Sequence, residues 1–242
     1  MVFIFVVDTS GSMTGSKIGA VNEAIKEAIP EIKSVSDENT DAKIKVAAIS
    51  FSTSSKWMSQ EPVEVEKFRW DPVSAGGATD LGDAFKKINE KLTRERGGFM
   101  EEAAGSYAPV FLLLSDGQPT DDYKTALGEL KRNAWFKVAI KIALAIGEDV
   151  DESVLAEFTG NIETVLPALN STVLKKMIKT ISVRASQIGS RSANVNMGAG
   201  DGCGSDLDPE DNSKKQEEAE EMIRDIGRDL ERDNKNSEWG NF

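Results

Sequence analysis

A chain of 242 residues with 39 % hydrophobic and 29 % charged residues is long enough for one large domain plus an appendage. Its net charge of −12 argues against nucleic acid or an anionic membrane as the main partner. There is no histidine, and Cys203 is the single cysteine, which removes histidine-activated nucleophiles, histidine zinc sites, an intramolecular disulfide and multi-cysteine metal sites. Carboxylates and hydroxyls remain, and such oxygen ligands suit magnesium, calcium or manganese.

Residues 2–7 (VFIFVV) form a continuous apolar run that ends in Asp8 and a hydroxyl cluster, Thr9, Ser10 and Ser12. Such a run reads as a strand buried on both faces. It lacks the basic flank and cleavage site of a signal peptide, and no apolar stretch is long enough for a transmembrane span, so a cytoplasmic protein is expected. Residues 16–36 carry Ile18, Val21, Ile25, Ile29 and Ile32 at helical spacing, with Pro30 expected to kink or loosen the helix. Residues 43–51 (KIKVAAISF) read as a strand and residues 56–59 as a weaker, antiparallel one, with irregular connection marked by Pro62 and Pro72.

Gly76, Gly77, Ala78, Thr79 and Asp80 open a helix bearing Leu81, Phe85, Ile88 and Leu92, which Thr79 or Asp80 can cap. Residues 94–106 read as a loop. Residues 109–115 (PVFLLLS) form a second buried strand that ends in Asp116 and Gly117. A helix capped by Asp121 and Asp122 is expected to reach about Asn133, followed by a strand over 137–146 (KVAIKIALAI). A short helix at 154–158, a short strand at 163–166 and a helix over 171–186 complete the pattern. Trp57, Trp70 and Trp135 read as core or rim packing. Alternation of this kind gives an α/β, doubly wound fold: a mostly parallel central sheet with one antiparallel edge strand and helices on both faces.

The domain is expected over residues 1–186. Residues 187–212, rich in Gly, Ser, Asn and Asp, read as a flexible linker in which Cys203 is incidental, and 213–242 as a charged, helical tail. From Asp201 onward there are fourteen acids against six bases, so the tail holds eight of the twelve net negative charges. Ser213 and Gln216 match a capping box, and Ala219, Met222, Ile223, Ile226 and Leu230 form a narrow apolar stripe. That stripe reads either as one side of a solvated helix or as a surface that docks a partner.

Asp8-x-Ser10-x-Ser12, Thr79 and Asp116 each follow or precede a predicted element at the end of the sheet where open α/β folds bind ligands. If the strands are neighbours, five oxygen donors with only two formal charges converge there, a set suited to a hard divalent cation that keeps a position for another ligand. Taken singly, each motif is also an ordinary turn or cap.

The segments DTSGSM, GGATD and LLLSDGQPTDD resemble the von Willebrand factor A (VWA) domain with its metal-ion-dependent adhesion site (MIDAS), and the resemblance covers residues 1–186. It implies that Asp8, Ser10, Ser12, Thr79 and Asp116 hold Mg2+, with Mn2+ or Ca2+ as substitutes, and that a protein partner completes the shell with an Asp or Glu. SDGQPTDD, LKRNAW and SVRAS are in addition similar to bacterial VWA proteins of the tellurite-resistance (TerY-like) type, which implies a cytoplasmic scaffold or regulator working with a protein kinase and a PP2C-type phosphatase.

The function expected is thus non-catalytic, metal-dependent protein binding. One alternative is an assembly subunit for an AAA+ ATPase; a phosphate-binding G-x-x-x-x-G-K-[ST] loop is missing, so the ATPase would be another chain. The other is a phosphatase resembling the haloacid dehalogenases with Asp8 as nucleophile; Ser10 stands where that chemistry needs a second acid.

Overall fold

The computed structural model describes residues 1–38, 43–100, 107–168 and 170–191 and, further on, 214, 217–218, 220–226 and 228. The chain runs β1 (Val2–Asp8), α1 (Ser16–Glu38), β2 (Lys45–Phe51), β3 (Ser55–Trp57), β4 (Val63–Glu64), α2 (Leu81–Lys91), β5 (Val110–Ser115), α3 (Tyr123–Leu130), α4 (Ala134–Val138), β6 (Ile140–Ile146), α5 (Glu152–Thr159), β7 (Val165–Ala168) and α6 (Ser171–Arg191). The strands lie in the order β3-β2-β1-β5-β6-β7, with β4 also on β2. Pairings of β1 with β2 and β5, of β5 with β6 and of β6 with β7 are parallel; β3 and β4 run antiparallel to β2. The doubly wound, mostly parallel sheet with an antiparallel edge is the architecture that the alternating pattern predicts.

β1 sits at the centre because its apolar run can be buried twice. Phe3, Phe5 and Val7 enter the layer shared with α1 and α6, while Val2, Ile4 and Val6 enter the layer shared with α2, α3 and α5. In the second layer Phe85 and Phe158 stack with centroids 5.4 Å apart, and Phe111 and Phe136 meet Phe158 at an angle. With β5 beside it in parallel, β1 delivers Asp8 to the carboxyl edge in line with Ser115 and Asp116.

Local expectations give way in three places. α1 continues through Pro30, because Ile25 and Ala28 before it and Ile32 and Val35 after it are buried on one face, and packing holds the helix across the missing donor. The helix expected up to about Asn133 ends at Leu130, and a further short helix follows: Asn133 accepts a bond from the Trp135 N–H and starts α4, whose Trp135 and Phe136 turn into the core. β6 therefore begins at Ile140 rather than 137. Within the connection marked by Pro62, Val63 and Glu64 pair with β2.

α6 runs to Arg191, past the Ser186 at which composition ends the domain. In the tail, residues 220–226 are helical, and Met222, Ile223 and Ile226 are buried in the layer that holds α1 and α6. Arg224 reaches Glu163 at 3.7 Å. Part of the apolar stripe is thus turned onto this chain's own domain. Residues 192–213, which include most of the predicted linker and Cys203, lie outside the described residues, as do residues 101–106, Gln216, Ala219 and Leu230.

Candidate metal centre

Three loops meet at the carboxyl edge, and backbone bonds hold them in place. The loop after β1 is tied to the Gly76–Gly77 turn by Gly11 N–H to the Gly77 carbonyl (3.0 Å) and Gly76 N–H to the Thr9 carbonyl (2.8 Å). Thr9 is anchored in turn on the Phe51 carbonyl through its N–H and its hydroxyl. Gly77 has φ +89°, and a Cβ there would stand 2.5 Å from Thr53 Oγ1, so the turn needs glycine both for its backbone and for its neighbour. Thr79 is joined to the loop after β5: its N–H donates to Thr120 Oγ1 (3.1 Å) and its carbonyl accepts from Thr120 N–H (2.9 Å).

Asp121 also crosses between elements. Its carboxylate accepts from Leu81 N–H and Gly82 N–H, so it caps α2 together with Asp80, which accepts from Asp83 N–H. Asp122 precedes α3 with no side-chain capping bond. Burial and the neighbouring Asp80 raise the Asp121 pKa.

Asp8, Ser10, Thr79 and Asp116 are all buried, whereas Ser12 is exposed. Asp8 Oδ1 accepts from Ser10 N–H (2.8 Å) and Oδ2 from Ser115 Oγ–H (2.6 Å); the Ser10 and Ser12 hydroxyls lie 3.0 Å apart. Burial raises the Asp8 pKa; the bonds from Ser10 and Ser115 oppose this, and the Asp116 charge adds to it. The two carboxylates are therefore close enough to repel. Asp116 Oδ1 is buried with no hydrogen-bond partner. The other oxygen, Oδ2, has Lys17 Nζ at 3.7 Å.

An orphaned carboxylate oxygen is costly in a protein interior unless something else satisfies it. A second carboxylate, two neighbouring serine hydroxyls and a threonine on a loop tied to both accompany it. The donor set is all oxygen and weakly charged, so these residues fit a hard divalent cation. Among the described residues no group of three or more Asp, Glu or Cys side chains could hold a metal, so a centre in this part of the chain depends on hydroxyl ligands.

The residues singled out in the sequence thus lie on loops that the fold stitches together. Ser115, Thr120 and Lys17 belong to the same edge and were not singled out. Ser115 could have been found, since a hydroxyl directly before Asp116 at a strand end faces the neighbouring strand's terminus. Lys17 carried no such signal, because it reads as an ordinary polar position of an amphipathic helix. Trp70 and Trp135 are buried, and Trp70 Nε1–H is spent on Asn22, so these rings pack the interior.

The model of the von Willebrand factor type A domain matches residues 3–180. The chain belongs to that family. No curated protein is significantly similar to this VWA chain in sequence. Among solved structures, the domain is similar to a von Willebrand factor type A protein from Catenulispora acidiphila (17% identity, TM-score 0.56, covering 76% of this chain and 42% of that one). It is also similar to the ArnB paralog VWA2 from Sulfolobus acidocaldarius (18%, TM-score 0.54, 74% and 44%). A third relative in fold is proximal thread matrix protein 1 from the mussel byssus, in a structure with a zinc-occupied MIDAS motif (15%, TM-score 0.55, 76% and 47%). In each case the match spans less than half of the other chain. Among the described residues, no helix of this VWA protein is long and apolar enough to cross a membrane.

Proposed function

We propose that this VWA protein is a non-catalytic module that binds a protein partner through a divalent cation held by Asp8, Ser10, Ser12, Thr79 and Asp116. The observation that carries the reading is the buried, unpartnered Asp116 Oδ1 beside Asp8 and the paired serine hydroxyls. The cation, when bound, supplies an electrophilic centre that an Asp or Glu of the partner can ligate. The chain's own residues do the rest. Ser115 fixes Asp8, the pair of hydrogen bonds between Thr79 and Thr120 fixes the second loop against the third, and the hydroxyl donors are neutral ligands that add no further charge.

Mg2+ is the cation we assign, with Mn2+ or Ca2+ as substitutes. The likeness of SDGQPTDD, LKRNAW and SVRAS to tellurite-resistance (TerY-like) proteins supports a cytoplasmic scaffold or regulator working beside a protein kinase and a PP2C-type phosphatase. On this reading residues 1–186 are the binding module, 187–212 a linker and 213–242 an accessory segment. The phosphatase reading has little support, because Ser10 is engaged with Ser12 and no acid stands two residues beyond Asp8.

Calorimetric titration with Mg2+, Mn2+ and Zn2+, followed by affinity capture with and without the preferred ion, tests this. Wild type should bind one ion and capture its partner only in its presence, and Asp8→Ala should do neither. Capture that survives chelation would refute the metal-bridged mechanism.

A further inference from the structure

Lys17 is placed where helix energetics alone would not put it. It lies in the first turn of α1, where the helix dipole disfavours a cation and where no acid balances it. Its side chain, 22% exposed, runs to the metal edge and ends 3.7 Å from Asp116 Oδ2, on a carboxylate only 2% exposed. The space it crosses is kept free by Gly147, which has φ +109°; a Cβ at that position would lie 2.8 Å from Lys17 Nζ and 2.9 Å from its Cε. At 3.7 Å the contact with Asp116 is an ion pair and not a hydrogen bond, so the N–H groups of Lys17 have no hydrogen-bond acceptor among the described residues. A cation with unused donors is thus held beside the carboxylate whose other oxygen has no partner.

The charge balance at this edge gives that placement a purpose. Asp8 and Asp116 carry two negative charges and Lys17 one positive, so these three groups sum to −1. A divalent cation bound among them turns the sum to +1. This trio therefore reverses sign on loading, and it does so only because Lys17 is there; with the two aspartates alone, the loaded centre would be neutral. A partner carboxylate that ligates the ion through one oxygen has a second oxygen to satisfy, and charge-assisted bonds from an ammonium are among the stronger ones available.

We infer that Lys17 is the residue that selects a carboxylate at the loaded metal centre, donating a hydrogen bond to the carboxylate oxygen not on the metal. This rests on the metal-dependent reading above. It assigns to Lys17 two effects of opposite sign. Its charge weakens the cation and strengthens the acidic ligand. A residue that merely supported the fold would shift both in the same direction.

The test uses the full chain with Mn2+ and acetate as probes, in wild type, Lys17→Met and Lys17→Arg. Free Mn2+ is read by electron paramagnetic resonance, and acetate on the bound ion by the relaxation of its methyl protons. Lys17→Met should bind Mn2+ about tenfold more tightly, since a like charge close to the ion is gone. It should hold acetate about fivefold more weakly. Lys17→Arg should stay near wild type in both. Wild-type binding of Mn2+ and acetate with Lys17→Met unchanged in both, or weakened in both, overturns the role of Lys17 and leaves the metal centre standing. A wild type that binds no Mn2+ overturns the metal centre and this inference with it.

Discussion

The sheet has two edges, and each buries ionisable groups on different terms. At the carboxyl edge Asp8 and Asp116 repel one another, and Asp116 Oδ1 has nothing to bond. At the amino edge Lys141, at the start of β6, is half-buried, and its ammonium donates to the Phe136 carbonyl (3.1 Å) and the Ala139 carbonyl (2.9 Å) and lies 5.2 Å from the centre of the Phe136 ring. A cavity of about 360 Å3 opens beside it, lined by Lys131, Lys137, Phe158, Gly160 and Glu220 among others. The ends of α3, α4 and α5 gather there, and lysines complement the carbonyls of helix C-termini. A buried charge whose bonds are made belongs to the architecture. One left with an open valence marks a site, and here that site is not the cavity.

The contrast can be broken by perturbing each edge separately. The largest effect on stability should come from the tail helix that flanks the amino edge. Ile223 is fully buried, so Ile223→Ala should cost about 2–4 kcal/mol in urea unfolding while leaving metal affinity within about twofold of wild type. A change in metal affinity would show that the two edges are coupled.

Next is Asp8→Asn, which removes one of two repelling charges from the interior. The metal-free protein should gain about 1–2 kcal/mol at neutral pH, and the dependence of Tm on Mg2+ should vanish. The sign follows from the raised folded-state pKa of Asp8. Its contribution is fully present below the unfolded value and is lost as pH rises through the folded value, so the advantage of the Asn variant should shrink on acidification. An Asn variant less stable than wild type at pH 7 would mean that the Ser10 and Ser115 bonds outweigh the repulsion.

The most gradual effect should be at Lys141. Burial first, and the Lys131 charge second, lower its pKa to about 8, below the 10.5 of a free lysine. Between these values the unfolded chain binds more protons, so this group makes stability rise with pH across that window, by at most about 1.4 kcal/mol per unit. Comparing Tm between pH 8 and 10 for wild type and Lys141→Met should show the rise in the first and its loss in the second. Parallel curves would mean that Lys141 keeps its ordinary affinity for protons, and the contrast between the edges would narrow.

Much of this protein was legible in its residues because the signals were local. The run VFIFVV can be buried on both faces only in a central strand, and a hydroxyl-rich loop at its end is a feature of sequence spacing. Thr79 and Asp116 were legible for the same reason, each being the polar residue at an apolar element's end. Where two local signals competed, the sequence was a poor guide. Around residues 133–139 the pattern gave a helix ending near Asn133 and a strand from 137, and the core chose a new helix after Asn133 so that Trp135 and Phe136 could both turn inward.

Composition and periodicity alone thus determined the sheet, its order of elements and the oxygen ligands available to it. Tertiary structure decided which of those ligands are left unsatisfied. Asp8 takes a bond from Ser115, more than a hundred residues away, and Asp116 faces Lys17 across the start of a different helix. It also decided that Met222, Ile223 and Ile226 are buried against the domain. The reason is the same in each case. Hydrogen-bond satisfaction and burial depend on which residues meet across the fold, and a one-dimensional pattern holds no record of that meeting.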